Sequence, residues 1–597
     1  MTPIPSALLE TKGHTWIIWN LIRIGFIPFK TMYIIFSLMQ ANSAARIEKR
    51  NSQPNRFKGF INIQIEFKWT GDKVLHVVIL LAGITSAASF VYFYQEDMIL
   101  AYGDAIARLT MSRLATNSVN PGIEQLIGVW PPLPQAVMVL LSIIDPLYET
   151  GLSGSLVIMT SFVVGAAYMY KLVLSFTNDK LASFIGGFVA FSTADMLFLQ
   201  STPMSEVPFT TFIVMTTYFT RQWMLQEDLG KLKPLCLAAA TLAAACMTRY
   251  EGWVGFIPFL SVIAITHWQR KISYKKTEDH LFVFATIVGG PILAWLILNL
   301  QYLGDPLFFM NSEFSSGSIA RAALAGMNES NRSIHNLPLS IELYARSAFD
   351  TVGWITASLG IVGVTLLFFS KQNVAEKLLT LCLLYPFVFF IASLYFGWSA
   401  LWHPDVIEGS NWGTRYGVLM TPAAALGVGY LVHKVRFIQF PVFVLVILST
   451  GITWQGGILS AGEALQNKTN DDARIHAEIT SFLDEHYDRG IVVMNRFGNE
   501  PIFYKSPVPL NKITYEGVEQ DFWNQALTNP ISAHVDWIIM RGHPDGRRQD
   551  EIWRTLRGSP TLVEHYDLVA QGYGYEIYKI KGTDLPAISE THPINPT

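Results

Sequence analysis

Residues 94–135 place an acid where it could act on a group presented at a membrane surface. Gly103-Asp104 heads a helical run over 105–114 in which Asp104, Arg108 and Ser112 recur at a spacing of four, while Ile106, Leu109 and Leu114 supply an apolar side. A helix of that pattern is expected to lie on a membrane and hold a carboxylate at the water boundary. The run is expected to stop at Trp130-Pro131-Pro132, because a proline pair cannot continue a helix interior. The plainer reading of Asp104 is a helix N-cap, a common role for aspartate.

Further ionisable residues fall at the ends of apolar runs. Asp195 and Glu206 are carboxylates beside one such turn, read either as solvated groups or as acceptor-binding or metal-binding ones. Thr248-Arg249-Tyr250-Glu251-Gly252-Trp253 could be a paired turn with a belt tryptophan, or could aim the planar fork of Arg249 at a phosphate. The segment 398–416 holds His403, Asp405 and Glu408, then Arg415-Tyr416. An arginine that only snorkels belongs on the cytoplasmic side, so Arg415 on the outer side favours a bound anion. Arg108, Glu206, Glu251 and His403 are therefore candidates for substrate or acceptor binding, and Arg249 and Arg415 for a phosphate.

The elements that must position these residues are membrane helices. Of 597 residues, 51% are hydrophobic and 15% charged, against about 25% charged in an average soluble domain. A net charge of -3 excludes a broadly basic nucleic-acid binder. Cys236, Cys246 and Cys382 sit in apolar runs, with no CxxC and no zinc spacing. About eleven apolar runs approach the length that a bilayer core requires of a helix: 75–94, 156–176, 181–199, 207–223, 232–247, 253–268, 281–300, 354–369, 378–396, 417–432 and 437–454. Upstream, 16–39 carries Arg23, Pro28 and Lys30 and reads as interfacial, with a crossing helix the alternative, while the basic stretch 46–73 reads as cytoplasmic.

Alternate loops are basic: Lys180, 221–233, 269–276, 371–377 and 433–436. The positive-inside rule then puts Asp104, the turns at 201–206 and 249–251, the long loop 301–352, the loop 397–416 and everything after Trp454 on the outer face. The tail alternates helices and strands. A helix capped by Asp471 or Asp472 carries the stripe Ile475, Ile479, Phe482 and Leu483, strands are expected near 491–494, 535–540, 562–569 and 575–580, and 584–597 is expected to be loose. The expected organisation is an N-terminal segment 1–73, a transmembrane domain 74–455 and an extracytoplasmic α/β domain 456–597. The loop 301–352 reads as irregular, either a lid over a site or merely disordered.

The chain has no P-loop, no GxGxxG with a ribose acid, no GxSxG and no HExxH. Any group transfer would need a donor already activated and delivered on the outer face, a requirement that a lipid-linked sugar phosphate meets. In the order of its parts the chain resembles the GT-C superfamily of membrane glycosyltransferases, above all the branch of protein O-mannosyltransferases and aminoarabinose transferases. The resemblance runs over 75–454 and rests on Gly103-Asp104, Trp130-Pro131-Pro132-Leu133, Glu206, Thr248-Arg249-Tyr250-Glu251-Gly252 and Arg415-Tyr416 with Pro422.

It implies a polyprenyl-phosphate sugar donor, transfer with inversion, a glycan, lipid or protein acceptor, and the role of catalytic base for Asp104. It also implies a multi-pass protein of the plasma (inner) membrane. Family members often carry an acidic pair at this point. Here Gly103 precedes Asp104 and Glu96-Asp97 lie well upstream, which puts a two-carboxylate metal site in doubt; no cofactor is required, and a divalent metal remains open. The rival expectation is a transporter or flippase of lipid-linked saccharides, which calls for polar mid-span residues and an internal repeat. A receptor or scaffold would leave the outer acids and arginines without a common purpose.

Overall fold

The computed structural model describes residues 72–325, 332–516, 520–542, 549–582 and 591–594. The interfacial reading of 16–39 and all but the last two residues of the cytoplasmic stretch lie outside them. Asp72–Thr597 forms one compact unit. It opens with Asp72 capping the helix Lys73–Gln95, its carboxylate accepting from Val74 N at 3.2 Å. The same carboxylate receives Tyr170 Oη at 2.6 Å and Lys180 Nζ at 2.9 Å.

The protein is a multi-pass α-helical membrane protein followed by a strand-containing domain. Among the described residues, five helices are long and apolar enough to cross a membrane, or seven if each of two bent pairs is one span. Every expected apolar run is helical, but several are too short or broken to count. The run 181–199 divides at Thr193 into Lys180–Ser192 and Ala194–Leu199. The helices Glu206–Met224 and Glu251–Gln269 open on acids, which cuts into their apolar length. The loop 301–352 is more regular than expected, containing Phe308–Asn311, Ser316–Ala325 and Leu337–Val352. Leu337–Val352 meets Trp354–Phe368 at a bend of 105°, made at Gly353, whose φ of +87° is open to glycine at little cost.

Small residues let two helices touch backbone to backbone. A Cβ on Gly363 would stand 1.8 Å from the carbonyl oxygen of Gly427, and one on Gly427 would stand 2.1 Å from that of Gly360. Trp354–Phe368 and Thr421–Lys434 therefore pack as small-residue faces, where dispersion and close approach replace a hydrophobic driving force.

The C-terminal domain is built on a six-stranded sheet. Its strands are β1 (Ile491–Val493), β2 (Ile513–Thr514), β3 (Val535–Arg541), β4 (Tyr566–Gly572), β5 (Tyr575–Ile580) and β6 (His592–Pro593), in the order β2-β1-β3-β5-β4-β6. β1 runs parallel to β2 and β3, while β5 is antiparallel to β3 and β4. Two expectations shift. Pro560–His565 is helical, because Ser559 caps it and proline sits in its first turn, so the strand begins at Tyr566. Part of the supposedly loose end is β6, paired with Ala570 and Gln571.

The helix Asp471–His486 is capped by Asn470, leaving Asp471 and Asp472 in its first turn beside the positive end of the dipole. Ile475, Ile479, Phe482 and Leu483 pack with Val492, Trp537 and Ile539 in a core that also takes in Leu114 from the helix Gly103–Leu114. The strand domain thus closes its core over a residue of the membrane region.

Candidate functional site

The helix Gly103–Leu114 positions the first carboxylate. Its N-cap is Tyr102, with Asp104 inside the first turn, so Asp104 is not the cap. The helix does not lie with a polar face on the membrane surface. Arg108 and Ser112 are 4% and 0% exposed and turn inward, because Ser112 bonds Ser142 and Arg108 bonds Gln135. The helix ends at Leu114, and the prolines start the next helix: Pro132 is the N-cap of Leu133–Ser142 and Pro134 lies in its first turn, where a missing N–H costs nothing.

Five of the sequence candidates converge on one ionic network. Arg415 sends Nη2 to Asp104 Oδ2 at 2.7 Å and Nε to Glu206 Oε1 at 3.3 Å. Arg249 sends Nη1 to the same Glu206 oxygen at 2.8 Å, and both Nε and Nη2 to Glu251 Oε1 at 3.0 and 2.6 Å. The Tyr416 ring faces both guanidiniums, 5.0 Å from Arg249 and 4.9 Å from Arg415. Glu206 is wholly buried, and Asp104 is the open member, its side chain 39% exposed. Burial is the largest influence on Arg249 and would strip its proton, but Glu251 and Glu206 outweigh it and hold the guanidinium above its ordinary range.

The reading of Asp195 and Glu206 as hydrated turn residues does not hold, since both are 0% exposed. Asp195 accepts from the backbone N and the hydroxyl of Ser460 at 2.8 and 2.6 Å, and Tyr102 donates its hydroxyl to the Ser460 carbonyl at 2.6 Å. Ser460 belongs to the helix Leu459–Thr469, which also supplies the residue that the sequence reading missed. Glu463, 0% exposed, accepts from Gly413 N at 2.9 Å, from Arg415 N at 3.0 Å and from Thr414 Oγ1 at 3.2 Å, and is ion-paired with Arg415 Nη1. The usable signal was an acid with no basic neighbour, close behind the final apolar run and opposite an unexplained Arg415.

Arg108 sits beside this network but is not bonded into it. Its Nη1 donates to Gln135 Oε1 at 3.2 Å, and its guanidinium lies 4.7 Å over the Trp130 ring. Burial lowers it to about 10, with Asp104 and Glu206 opposing that shift, so it stays charged at neutral pH.

His403 goes elsewhere. Its Nε2 lies 2.8 Å from Asp350 Oδ2, and no hydrogen bond or ion pair among the described residues joins it to the arginines. Asp350, His403 and Asp405 bring their ligand atoms within 4.8 Å of one another, close enough to hold a metal. The hydrogen bonding around the ring fits that use poorly. A metal-bound imidazole donates from its other nitrogen, whereas His403 Nδ1 faces the Asp405 N–H at 3.2 Å. Asp350 is further engaged by Trp354 Nε1 at 2.5 Å, and Asp405 by Arg346 at 3.9 Å. The cluster serves as a tie between Leu337–Val352 and the 397–416 segment.

The strand domain and the long loop border the same region. Phe497 stacks on Phe314 at 4.7 Å, Phe309 stacks on Tyr250 at 4.2 Å, and Tyr250 receives Trp295 Nε1 at 3.2 Å. Aromatic contacts thus run from the strand domain to the long loop and, at Phe309, from that loop to the Arg249 turn.

No family model and no curated protein matches the chain. Among solved structures, ArnT from Cupriavidus metallidurans bound to undecaprenyl phosphate aligns with a TM-score of 0.53 at 14% identity, over 84% of this chain and 97% of that one. The apo form of the same protein aligns with a TM-score of 0.50 at 12% identity, over 82% and 97%. The likeness shows a shared fold over most of the chain.

Proposed function

We propose that this protein is a membrane glycosyltransferase that moves a sugar from a polyprenyl-phosphate donor to a hydroxyl acceptor on the extracytoplasmic face, with inversion. The observation that carries the proposal is the Asp104–Arg415–Glu206–Arg249 network: one half-open carboxylate held by an arginine that is itself clamped from behind. The fold shared with ArnT, whose structure was solved with undecaprenyl phosphate, supports the choice of donor class.

Arg415 occupies Asp104 Oδ2, and Asp104 has no other side-chain hydrogen bond among the described residues. Its second oxygen is then free to take the proton of an acceptor hydroxyl. The hydroxyl oxygen forms a bond to the anomeric carbon, the bond from that carbon to the phosphate oxygen breaks, and the lipid phosphate leaves with the electron pair from the opposite face. General-base assistance of this kind contributes about 10²- to 10⁴-fold. Arg415 and Arg249 fix the carboxylates, so that little reorganisation is needed during reaction. Glu206 and Glu251 serve this site by holding the arginines. No step calls on a metal.

The test uses full-length protein in detergent, a polyprenyl-phosphate sugar, and release of lipid phosphate as the readout. Wild type should release it in the presence of a hydroxyl acceptor. Asp104→Asn should lose about 10²- to 10⁴-fold in turnover, and unchanged transfer by that variant would remove Asp104 from the role of base.

A further inference from the structure

Of the three arginines at the site, two have no charge to spare. Glu206 and Glu251 hold Arg249, and Glu206, Glu463 and Asp104 hold Arg415. Their positive charge is met inside the protein. Arg108 differs: it is 4% exposed, no carboxylate reaches it within ion-pair distance among the described residues, and its Nε is buried without a hydrogen-bond partner. A buried cation left unpaired is costly, and native folds ordinarily pair such a group.

The surroundings hold Arg108 in place without an ion pair. Gln135 donates Nε2 to the Pro131 carbonyl at 3.0 Å, which turns its Oε1 toward Arg108 Nη1. The Trp130 ring lies under the guanidinium plane, so a neutral hydrogen bond and an aromatic face orient the fork. Arg108 also stands one helical turn after Asp104, on the same side of the same helix.

We propose that Arg108 is the cation that receives the phosphate of the lipid-linked donor, while Arg249 and Arg415 serve as framework for the carboxylates. The guanidinium edge offers two N–H groups to two phosphate oxygens, a pairing suited to a planar fork and not to an ammonium. As the phosphate leaves, negative charge grows on those oxygens, and Arg108 meets it one turn from the base. This assignment rests on the glycosyltransferase reading for the identity of the donor, but lipid phosphate binding can be measured without transfer.

The experiment compares wild type, Arg108→Gln and Arg108→Lys, full length in detergent. Binding of undecaprenyl phosphate is measured beside binding of the uncharged polyprenol of the same chain length, and donor KM and kcat are measured in parallel. Arg108→Gln should weaken undecaprenyl phosphate about tenfold or more, the worth of a hydrogen bond to a charged group, with polyprenol binding unchanged and donor KM raised. Arg108→Lys keeps the charge without the fork and should fall between. If Arg108→Gln does not fold, the same loss of phosphate over alcohol in Arg108→Lys decides the matter.

Wild-type affinity for undecaprenyl phosphate in the folded variants would overturn the proposal, as would equal losses for phosphate and alcohol. Phosphate binding through Arg108 with no sugar transfer by the wild type would instead refute the glycosyltransferase reading and leave the Arg108 assignment standing.

Discussion

Glu463→Gln isolates the framework from the chemistry. Glu463 Oε1 accepts from Gly413 N and Arg415 Nη1, and Oε2 accepts from Arg415 N and Thr414 Oγ1. Glutamine keeps the shape, but whichever way its amide turns, the NH₂ faces at least one N–H donor. The better orientation loses the bond from Arg415 N, while the Thr414 hydroxyl can rotate to accept. A hydrogen bond to a charged group is worth about 1.5–3 kcal/mol, and a buried donor left unsatisfied costs about 1–3 kcal/mol.

Breaking a buried ion pair outright costs about 3–5 kcal/mol. Arg415 keeps Asp104 and Glu206, so the total should fall near the lower end, about 3 kcal/mol. The assay is the unfolding midpoint in one detergent, followed by tryptophan fluorescence, with lipid-phosphate release measured on the same samples. The midpoint should fall by several degrees. Turnover should fall about 10²-fold, the scale of a 1 Å misplacement, because Arg415 orients Asp104. Glu463→Gln with both the midpoint and the turnover of wild type would refute the reasoning.

Gly363→Ala should destabilise the protein by about 1–3 kcal/mol or prevent its folding, because the new methyl would meet the Gly427 carbonyl at 1.8 Å; the midpoint in detergent reads it. Chelation with EDTA should leave lipid-phosphate release unchanged, since each carboxylate of the network is already ion-paired with an arginine. In the strand domain, burial raises Glu500 and Asp550 to about 7 and lowers His476 to about 4. The folded state therefore binds more protons than the unfolded at the two acids, and stability from them is lost as pH rises from about 4 through 7. His476 acts oppositely below about 6.5, one proton against two. Amide exchange in β1 and β3, corrected for intrinsic rate, should be slower at pH 5.5 than at pH 8.

Much of the membrane part could be read from the sequence, because its signals are local. Apolar runs of the right length became helices, and the acids and arginines at their ends were conspicuous against so few charges. Asp104, Glu206, Arg249, Glu251 and Arg415 meet although the Asp104–Arg415 contact spans 311 positions, since placing their turns on one face leaves them one destination. The partnerships inside that face were not legible. Nothing near His403 shows that it will choose Asp350, and the one pointer to Glu463 was an acid behind the final apolar run with Arg415 still unexplained. The burial of Arg108 was hidden for a related reason: a polar stripe at helical spacing looks the same whether it faces water or an ionic interior. Some of the runs do not form single long helices, because the breaks at Thr193 and at 382–384 depend on packing partners, not on the hydropathy of the run.

The helix Leu459–Thr469 follows the last membrane helix and precedes the sheet, and through Ser460 and Glu463 it helps hold the ionic site together. An engineered stop placed before it would leave Asp195 without Ser460 and Arg415 without Glu463. The membrane part and the strand domain are on this view one cooperative unit, and exchanging the domain for that of another protein would preserve the site only if the splice fell beyond Thr469.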